Sequence, residues 1–241
     1  MIVLLTDFGP SEYVGVMKGV IYSINPDARV VDLCHDIRPQ CVAEAAWILK
    51  INYTYFPPGS TFCCVVDPSV GGRRKAVAVQ TQHYVFIAPD NGLLWETLVD
   101  QQIVSMLELP VPNNASRTFH GRDVFARAAA RADWSPFEHL GKPLDTLEKL
   151  QLHQEERQGI VVRIDHFGNI VTNLPPLAKG EYTVTIDGQD RPMRHCSTYE
   201  EAPDDELFLI TGSSNTLEIS CKNASATSHL KLRSGQKISI A

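Results

Sequence analysis

Short apolar runs and segments of helical period alternate through the first half of the chain. Residues 2–5 and 61–66 are apolar runs of strand length, and residues 29–33 (RVVDL) form another strand-length segment. Between them, residues 13–24 set Val14, Met17, Val20 and Ile21 at helical spacing, and residues 41–51 do the same with Ala45, Ala46, Ile48 and Leu49. Residues 76–80 and 84–88 predict a hairpin. Residues 93–98 predict a short helix after the turn Pro89-Asp90-Asn91-Gly92, and residues 121–132 an Ala-rich helix. This β-α-β-α-β order predicts a layered α/β domain with a mostly parallel sheet over residues 1–150.

The pattern changes after Leu150. Residues 151–158 are polar and rich in Gln and Glu, which suits a linker. Beyond them, residues 159–165, 182–186, 206–211, 217–220 and 237–240 are short alternating runs separated by turn residues. Such spacing predicts a small all-β domain over residues 159–241, a barrel or a sandwich.

Composition narrows the class. The chain has 241 residues, 44% of them hydrophobic and 21% charged, which is the make-up of an ordinary globular protein. The formal net charge of −6 argues against a nucleic-acid backbone binder, which needs a basic footprint. No apolar run approaches the roughly 18 residues that span a bilayer, so no membrane partner is expected. The opening Met1-Ile2-Val3-Leu4-Leu5-Thr6-Asp7 lacks a basic leader, and a cytoplasmic location is expected. The six cysteines show no CxxC spacing, and Cys63 and Cys64 fall on opposite faces of a strand. Buried free thiols in a reducing compartment are the expectation.

Candidate chemistry clusters at predicted strand ends, where α/β sheets carry their sites. After the run 63–66 comes Asp67, then Pro68, Gly71 and Gly72, then Arg73 and Arg74. A carboxylate and a guanidinium across a tight turn can face one cleft, or form a plain surface ion pair. Asp7 follows the first strand and can accept two hydrogen bonds from vicinal hydroxyls, with Glu12 nearby; alternatively Asp7 or Ser11 caps the next helix. Phe119 and His120 precede the Ala-rich helix, and an imidazole there suits proton transfer near neutrality. A surface histidine, with Asp123 favouring the helix N-terminus, is the alternative. Residues 164–173 (IDHFGNIVTN) combine Asp165, Phe167 and Asn169: an aromatic that can stack on a purine and an amide that can pair with its edge. A tight hairpin explains the same residues. Ser213 and Ser214, in Gly212-Ser213-Ser214-Asn215, offer hydroxyls to a carboxylate or form an ordinary turn. The ligand types His35, Asp36, Asp67, His120, Asp165 and His166 show neither HExxH nor CxxC spacing, so no metal is expected. No GxGxxG follows a strand and no GxxxxGK[ST] occurs, which leaves dinucleotide and P-loop readings without support.

Taken in order, residues 6–9 (TDFG), 14–21 (VGVMKGVI), 31–37 (VDLCHDI), 65–74 (VVDPSVGGRR), 88–94 (APDNGLL), 119–126 (FHGRDVFA), 164–173 and the 212–226 region resemble the S-adenosylmethionine hydroxide adenosyltransferase family, relatives of the fluorinating and chlorinating enzymes. The resemblance implies an N-terminal α/β layer, a C-terminal β-barrel-like domain and a homotrimer. It places the substrate between the N-terminal domain of one subunit and the C-terminal domain of its neighbour. It implies hydrolysis of S-adenosylmethionine to adenosine and methionine with no cofactor, the small molecule being the substrate. It puts a water-activating set on Asp67, Arg74 and His120, ribose on Asp7, adenine on Phe167 and Asn169, the methionine ammonium on Asp165 and its carboxylate on Ser213. Glu12 stands where relatives carry Asp, Ser214 where the halogenating branch carries Arg, and Val171 where that branch carries an aromatic. That branch also has Tyr in place of Asp67 and an added loop after the turn. A halide-dependent adenosyl transferase and a non-catalytic adenosine-binding protein are the rival functions.

Overall fold

The computed structural model describes all 241 residues. They form two compact units, Met1–Gln151 and Leu152–Ala241.

The first unit is a seven-stranded sheet between helices. Its strands are β1 (Ile2–Thr6), β2 (Val30–Cys34), β3 (Thr61–Val65), β4 (Ala76–Thr81), β5 (Val85–Pro89), β6 (Ile103–Glu108) and β7 (Lys142–Pro143). The order is β2-β1-β3-β5-β4-β6-β7. β2, β1, β3 and β5 are parallel neighbours, and β4 pairs antiparallel with both β5 and β6, so the sheet is mostly parallel as its sequence predicts. β1 and β3 are buried along their whole length, which is why they read as continuous apolar runs.

Alternate residues of these strands feed two separate cores. Ile2, Leu4, Cys63 and Val65 pack with Met17 and Ile21 of α1 (Glu12–Ile24) and with Ala129 of α4 (Ala126–Ala132). Val3, Leu5, Phe62 and Cys64 pack with Ala45, Ile48 and Leu49 of α2 (Val42–Asn52). Each buried Leu or Ile contributes about 1.5–3 kcal/mol. All six cysteines are free, and five of them are buried. Burial pushes the Cys63 thiol up to about 12, so it acts as packing rather than as a nucleophile. The short helix α3 (Trp95–Leu98) follows the predicted turn.

The Ala-rich helix begins differently from its prediction. Gly121–Phe125 is a π-helical turn, and the α-helix starts only at Ala126. Single π-turns of this kind often mark functional sites. Here the turn starts immediately after His120.

The second unit is a closed barrel of β8 (Gln158–Ile164), β9 (Ile170–Thr172), β10 (Gly180–Ile186), β11 (Gln189–Cys196), β12 (Leu207–Thr211), β13 (Leu217–Cys221) and β14 (Lys237–Ile240), in the order β10-β11-β12-β13-β9-β8-β14. β14 pairs with β10 and closes it, which leaves no free edge. Inward residues such as Val161, Ile170, Val184, Leu209, Ile219 and Ile238 fill the interior. Within the polar stretch read as a linker, Glu155 bridges Gln158, where β8 begins. The helical turn α5 (Ala226–His229) lies outside the strands. No helix of the protein is long and apolar enough to cross a membrane.

Candidate active site

Parallel pairing sets two carboxylates side by side. Thr6 of β1 is in register with Val65 of β3, so Asp7 and Asp67 leave adjacent strands at the same sheet edge. Asp67 then meets Arg74 across the turn. Arg74 Nε donates to both Asp67 oxygens at 3.0 Å, and its Nη2 donates to Asp67 Oδ2. The same Nη2 donates to His120 Nδ1 at 2.7 Å. The Arg74 and Asp67 side chains are only 7% and 5% exposed, and His120 is 5% exposed. The exposed surface pair that the sequence also allowed is therefore not what forms. Phe125 supports the guanidinium from behind, its ring centroid 5.3 Å from the Arg74 carbon. Arg73 is exposed.

A guanidinium only donates. His120 Nδ1 is thus the acceptor, and the ring is neutral with its proton on Nε2. Burial, then the Arg74 charge, hold the His120 pKa below its ordinary 6.5, against the opposing pull of Asp67 and Asp123. The unfolded chain takes up this proton first as pH falls. His120 therefore contributes a loss of stability that sets in below pH 6.5 and levels off below its folded pKa. Protonation would also turn an N–H of His120 toward Arg74. We expect kcat/KM to fall on the acid side with a midpoint below 6.5, and this limb to vanish from the pH profile of His120→Asn.

A cleft of about 290 Å³ opens beside the cluster, lined by Asp7, Phe8, Tyr13, Gln40, Asp67, Phe119 and His120 among others. Asp7 Oδ2 accepts the Gln40 N–H at 2.7 Å, which leaves Oδ1 for a ligand. Thr6 Oγ1 and His35 Nδ1, 2.8 Å apart, tie the ends of β1 and β2 together below it. Asp7 does not cap α1; Ser11 holds the N-cap position, but its hydroxyl donates to Phe8 O at 2.8 Å instead of accepting from the first turn. Phe8, Tyr13 and Phe119 meet edge to face with centroids 5.0 to 5.9 Å apart and form an aromatic wall. Gly121 lies beneath it: a Cβ there would approach Phe119 to 3.1 Å and Phe8 to 3.2 Å. Glu12 is exposed at the start of α1 and does not line the cleft. Phe8, Tyr13 and Gln40 are site-lining residues that the sequence did not single out. Only the position of Phe8 beside Asp7 signalled one of them.

In the barrel unit, Asp165 organises its own turn. Its Oδ1 accepts from Phe167 N at 2.9 Å and Asn169 N at 2.8 Å, and its Oδ2 from Asn169 Nδ2 at 2.9 Å. Ionised carboxylates offer about four lone-pair sites, so capacity for an ammonium remains. Asn169 is buried, and Tyr199 engages its side chain as well, whereas Phe167 stands 75% exposed. Gly168 is required in this turn: its φ is +82°, and a Cβ would fall 1.9 Å from Ser225 Oγ. The tight hairpin and the ligand-suited turn are thus the same structure. Ser213 and Ser214 occupy a second turn, closed by Gly212 N–H to Thr216 O at 2.8 Å. Strand register sets this turn at the start of β13 and the Asp165 turn near its end. Glu218, overlooked in the sequence, lies against Gly212. Burial first, and Asp165 second, raise its pKa.

An α/β sheet carrying a buried carboxylate–guanidinium–imidazole cluster at its strand ends, in one chain with a closed barrel, defines a two-unit small-molecule enzyme. Residues 2–141 match the SAM hydroxide adenosyltransferase N-terminal domain, and residues 159–239 match the corresponding C-terminal domain. The chain belongs to this family. It is 36% identical over 253 residues to the (R)-S-adenosyl-L-methionine hydrolase of Thermus thermophilus, covering 98% of this chain and 97% of that one. To the hydrolase of the same name from Methanocaldococcus jannaschii it is 38% identical, over 72% of this chain and 66% of that one. Fluorinases match at lower identity. A solved structure of an uncharacterized conserved protein from Thermotoga maritima superposes with a TM-score of 0.92 at 33% identity over both full chains.

Proposed function

We infer that the protein hydrolyses S-adenosylmethionine to adenosine and L-methionine. The reading rests on one observation above others: the buried Asp67–Arg74–His120 cluster opening on a cleft, in a chain that matches this family over nearly its whole length. A water oxygen attacks C5′ of the ribose, the C5′–S bond breaks with its electron pair going to sulfur, and methionine leaves as a neutral thioether. The sulfonium is already activated, so no acid is required to expel it. The demand is for a nucleophile, positioned in line and stripped of bulk water.

The hydrogen bonds divide the work. His120 Nδ1 is occupied by Arg74, so the imidazole faces the water as an Nε2–H donor and holds its oxygen. Asp67 retains a lone pair on Oδ1 and takes the water proton, which then passes to solvent. Arg74 stabilises the developing hydroxide through its fixed positive charge. Asp7 holds the ribose hydroxyls. Phe167 and Asn169 contact adenine, Asp165 the methionine ammonium and Ser213 its carboxylate. The chemistry draws on no cofactor or metal in this scheme.

Lys75 alone separates Arg74 from β4, leaving no room for the added loop that the halogenating branch carries. We therefore expect purified protein to form adenosine and methionine from S-adenosylmethionine in halide-free buffer, at a rate unchanged by added chloride. Chromatography of the nucleosides checks this. A chloride-dependent 5′-chloro product would replace hydrolysis with the transferase, and tight binding without any product would leave a binding protein.

A homotrimer in the cytoplasm, with the cleft of one subunit facing the barrel of its neighbour, is the assembly we carry over from the family resemblance. The free cysteines support a reducing compartment. Light scattering is expected to give three times the 26.8 kDa chain mass; a monomer at assay concentration with full turnover would rule the shared site out.

A further inference from the structure

Three metal-ligand side chains converge in the barrel unit at positions to which the hydrolytic scheme assigns no role. Asp205 precedes β12, Cys221 ends β13 and His229 ends α5. His229 Nε2 lies 3.1 Å from Asp205 Oδ1 and 3.6 Å from Cys221 Sγ. One ligand atom from each residue falls within 4.8 Å of the others. Backbone bonds hold the three segments in place. Asp205 N–H donates to Lys222 O at 3.1 Å, Asp204 bridges Lys222, and Leu230 N–H donates to Ala226 O at 3.0 Å.

Two ordinary explanations account for part of this. A His–Asp surface pair explains one contact, but with Asp205 77% exposed such a pair contributes little, and it does not explain the sulfur. A Cys–His–Asp nucleophile requires the acid on one ring nitrogen and the thiol on the other. Here both contacts fall on Nε2, so no proton can be relayed through the ring. Convergence of oxygen and sulfur on a single nitrogen is instead the pattern of three donors aimed at one point between them. A tetrahedral zinc centre, with bonds of about 2.0–2.3 Å, separates its nitrogen and sulfur ligands by about 3.5 Å and its nitrogen and oxygen ligands by about 3.3 Å. The two observed separations fit those values with little movement.

We propose that Cys221, His229 and Asp205 form a binding site for a zinc-class divalent cation, with water in the fourth position. Cys221 is 4% exposed and anchors the site in the barrel wall, while the other two ligands reach it from the surface. On binding, the Cys221 thiol gives its proton to solvent and the sulfur bonds the metal as thiolate. His229 binds through the Nε2 lone pair with its proton on Nδ1, and Asp205 binds as carboxylate. The metal would join the lead-in to β12, the end of β13 and α5. It would thereby fix the 222–229 segment, whose Ser225 packs against Gly168.

The test is titration of the metal-free full chain with Co²⁺, followed optically, and with Zn²⁺ by calorimetry. The site predicts one Co²⁺ per chain, a near-ultraviolet thiolate-to-cobalt charge-transfer band, and displacement of cobalt by zinc. Cys221→Ser should abolish the band. His229→Ala should weaken binding about tenfold or more, since even an outer partner of a metal ligand is worth that much. His229 and Asp205 are exposed, so His229→Ala and Asp205→Asn decide the matter if Cys221→Ser does not fold. Absence of a thiolate band in the wild type, its survival in Cys221→Ser, or undiminished affinity in both His229→Ala and Asp205→Asn would overturn the proposal.

Discussion

Replacing Arg74 with Ala is expected to lower kcat about 10²–10³-fold, the loss typical of removing one preorganised electrostatic group from a dry site. KM should change little, because Arg74 reaches the water and not the substrate in the proposed scheme. The substitution removes the donors to both Asp67 and His120 and leaves a carboxylate 5% exposed without its cation. Breaking a buried pair in this way costs about 3–5 kcal/mol of stability. Turnover must therefore be read at a temperature where circular dichroism shows the variant folded. Arg74→Lys separates charge from geometry: one ammonium cannot reproduce the fork that spans carboxylate and imidazole, so it should recover only part of the rate. Arg73→Ala, at an exposed neighbour, should leave kcat unchanged. Wild-type turnover in folded Arg74→Ala would remove the cluster from the mechanism.

Legibility in the sequence followed the distance over which each interaction acts. The Asp67–Arg74 pair was readable because seven residues and a Pro/Gly turn bring it together. Its bond to His120 spans 46 residues and depends on where a helix starts. The bond from Gln40 to Asp7 likewise depends on how two strands pair. β1 and β3 were plain because both faces are buried. β11 was not: Arg191, Pro192 and Arg194 interrupt it, and only Met193, His195 and Cys196 are buried. The π-turn at Gly121–Phe125 differs from α-helix by one residue in hydrogen-bond spacing over five residues, too little for periodicity to register. Glu12 lay in the right segment, yet its place in the first turn of α1 directs it to solvent. The Asp205–Cys221–His229 cluster joins residues 24 and 8 positions apart, a spacing that matches no metal motif.

Gly71→Ala should cost the enzyme about 10²-fold in turnover although residue 71 has no side chain to lose. The turn that carries Asp67 and Arg74 packs directly on the loop that carries His120. At Gly71 the two backbones meet so closely that a Cβ would sit 2.2 Å from Arg117 O. No rotamer relieves this clash, because its partner is main chain. The φ of +74° adds about 1–2 kcal/mol for any residue with a Cβ. Turn and loop must then separate by about 1 Å. The contact that absorbs the shift is the 2.7 Å bond between Arg74 and His120, and a misplacement of that size costs about 100-fold when it falls on a positioned nucleophile. Gly72→Ala is the comparison: its Cβ would lie 2.9 Å from Ser69 O within the same turn, and its φ is not in the left-handed range. It should lower stability modestly while leaving the two segments docked. A melting temperature reduced in both variants, with kcat reduced only in Gly71→Ala, would show that the glycine sets the spacing of the catalytic cluster. Equal rates in the two would mean that the loop follows the turn and the cluster moves as one body.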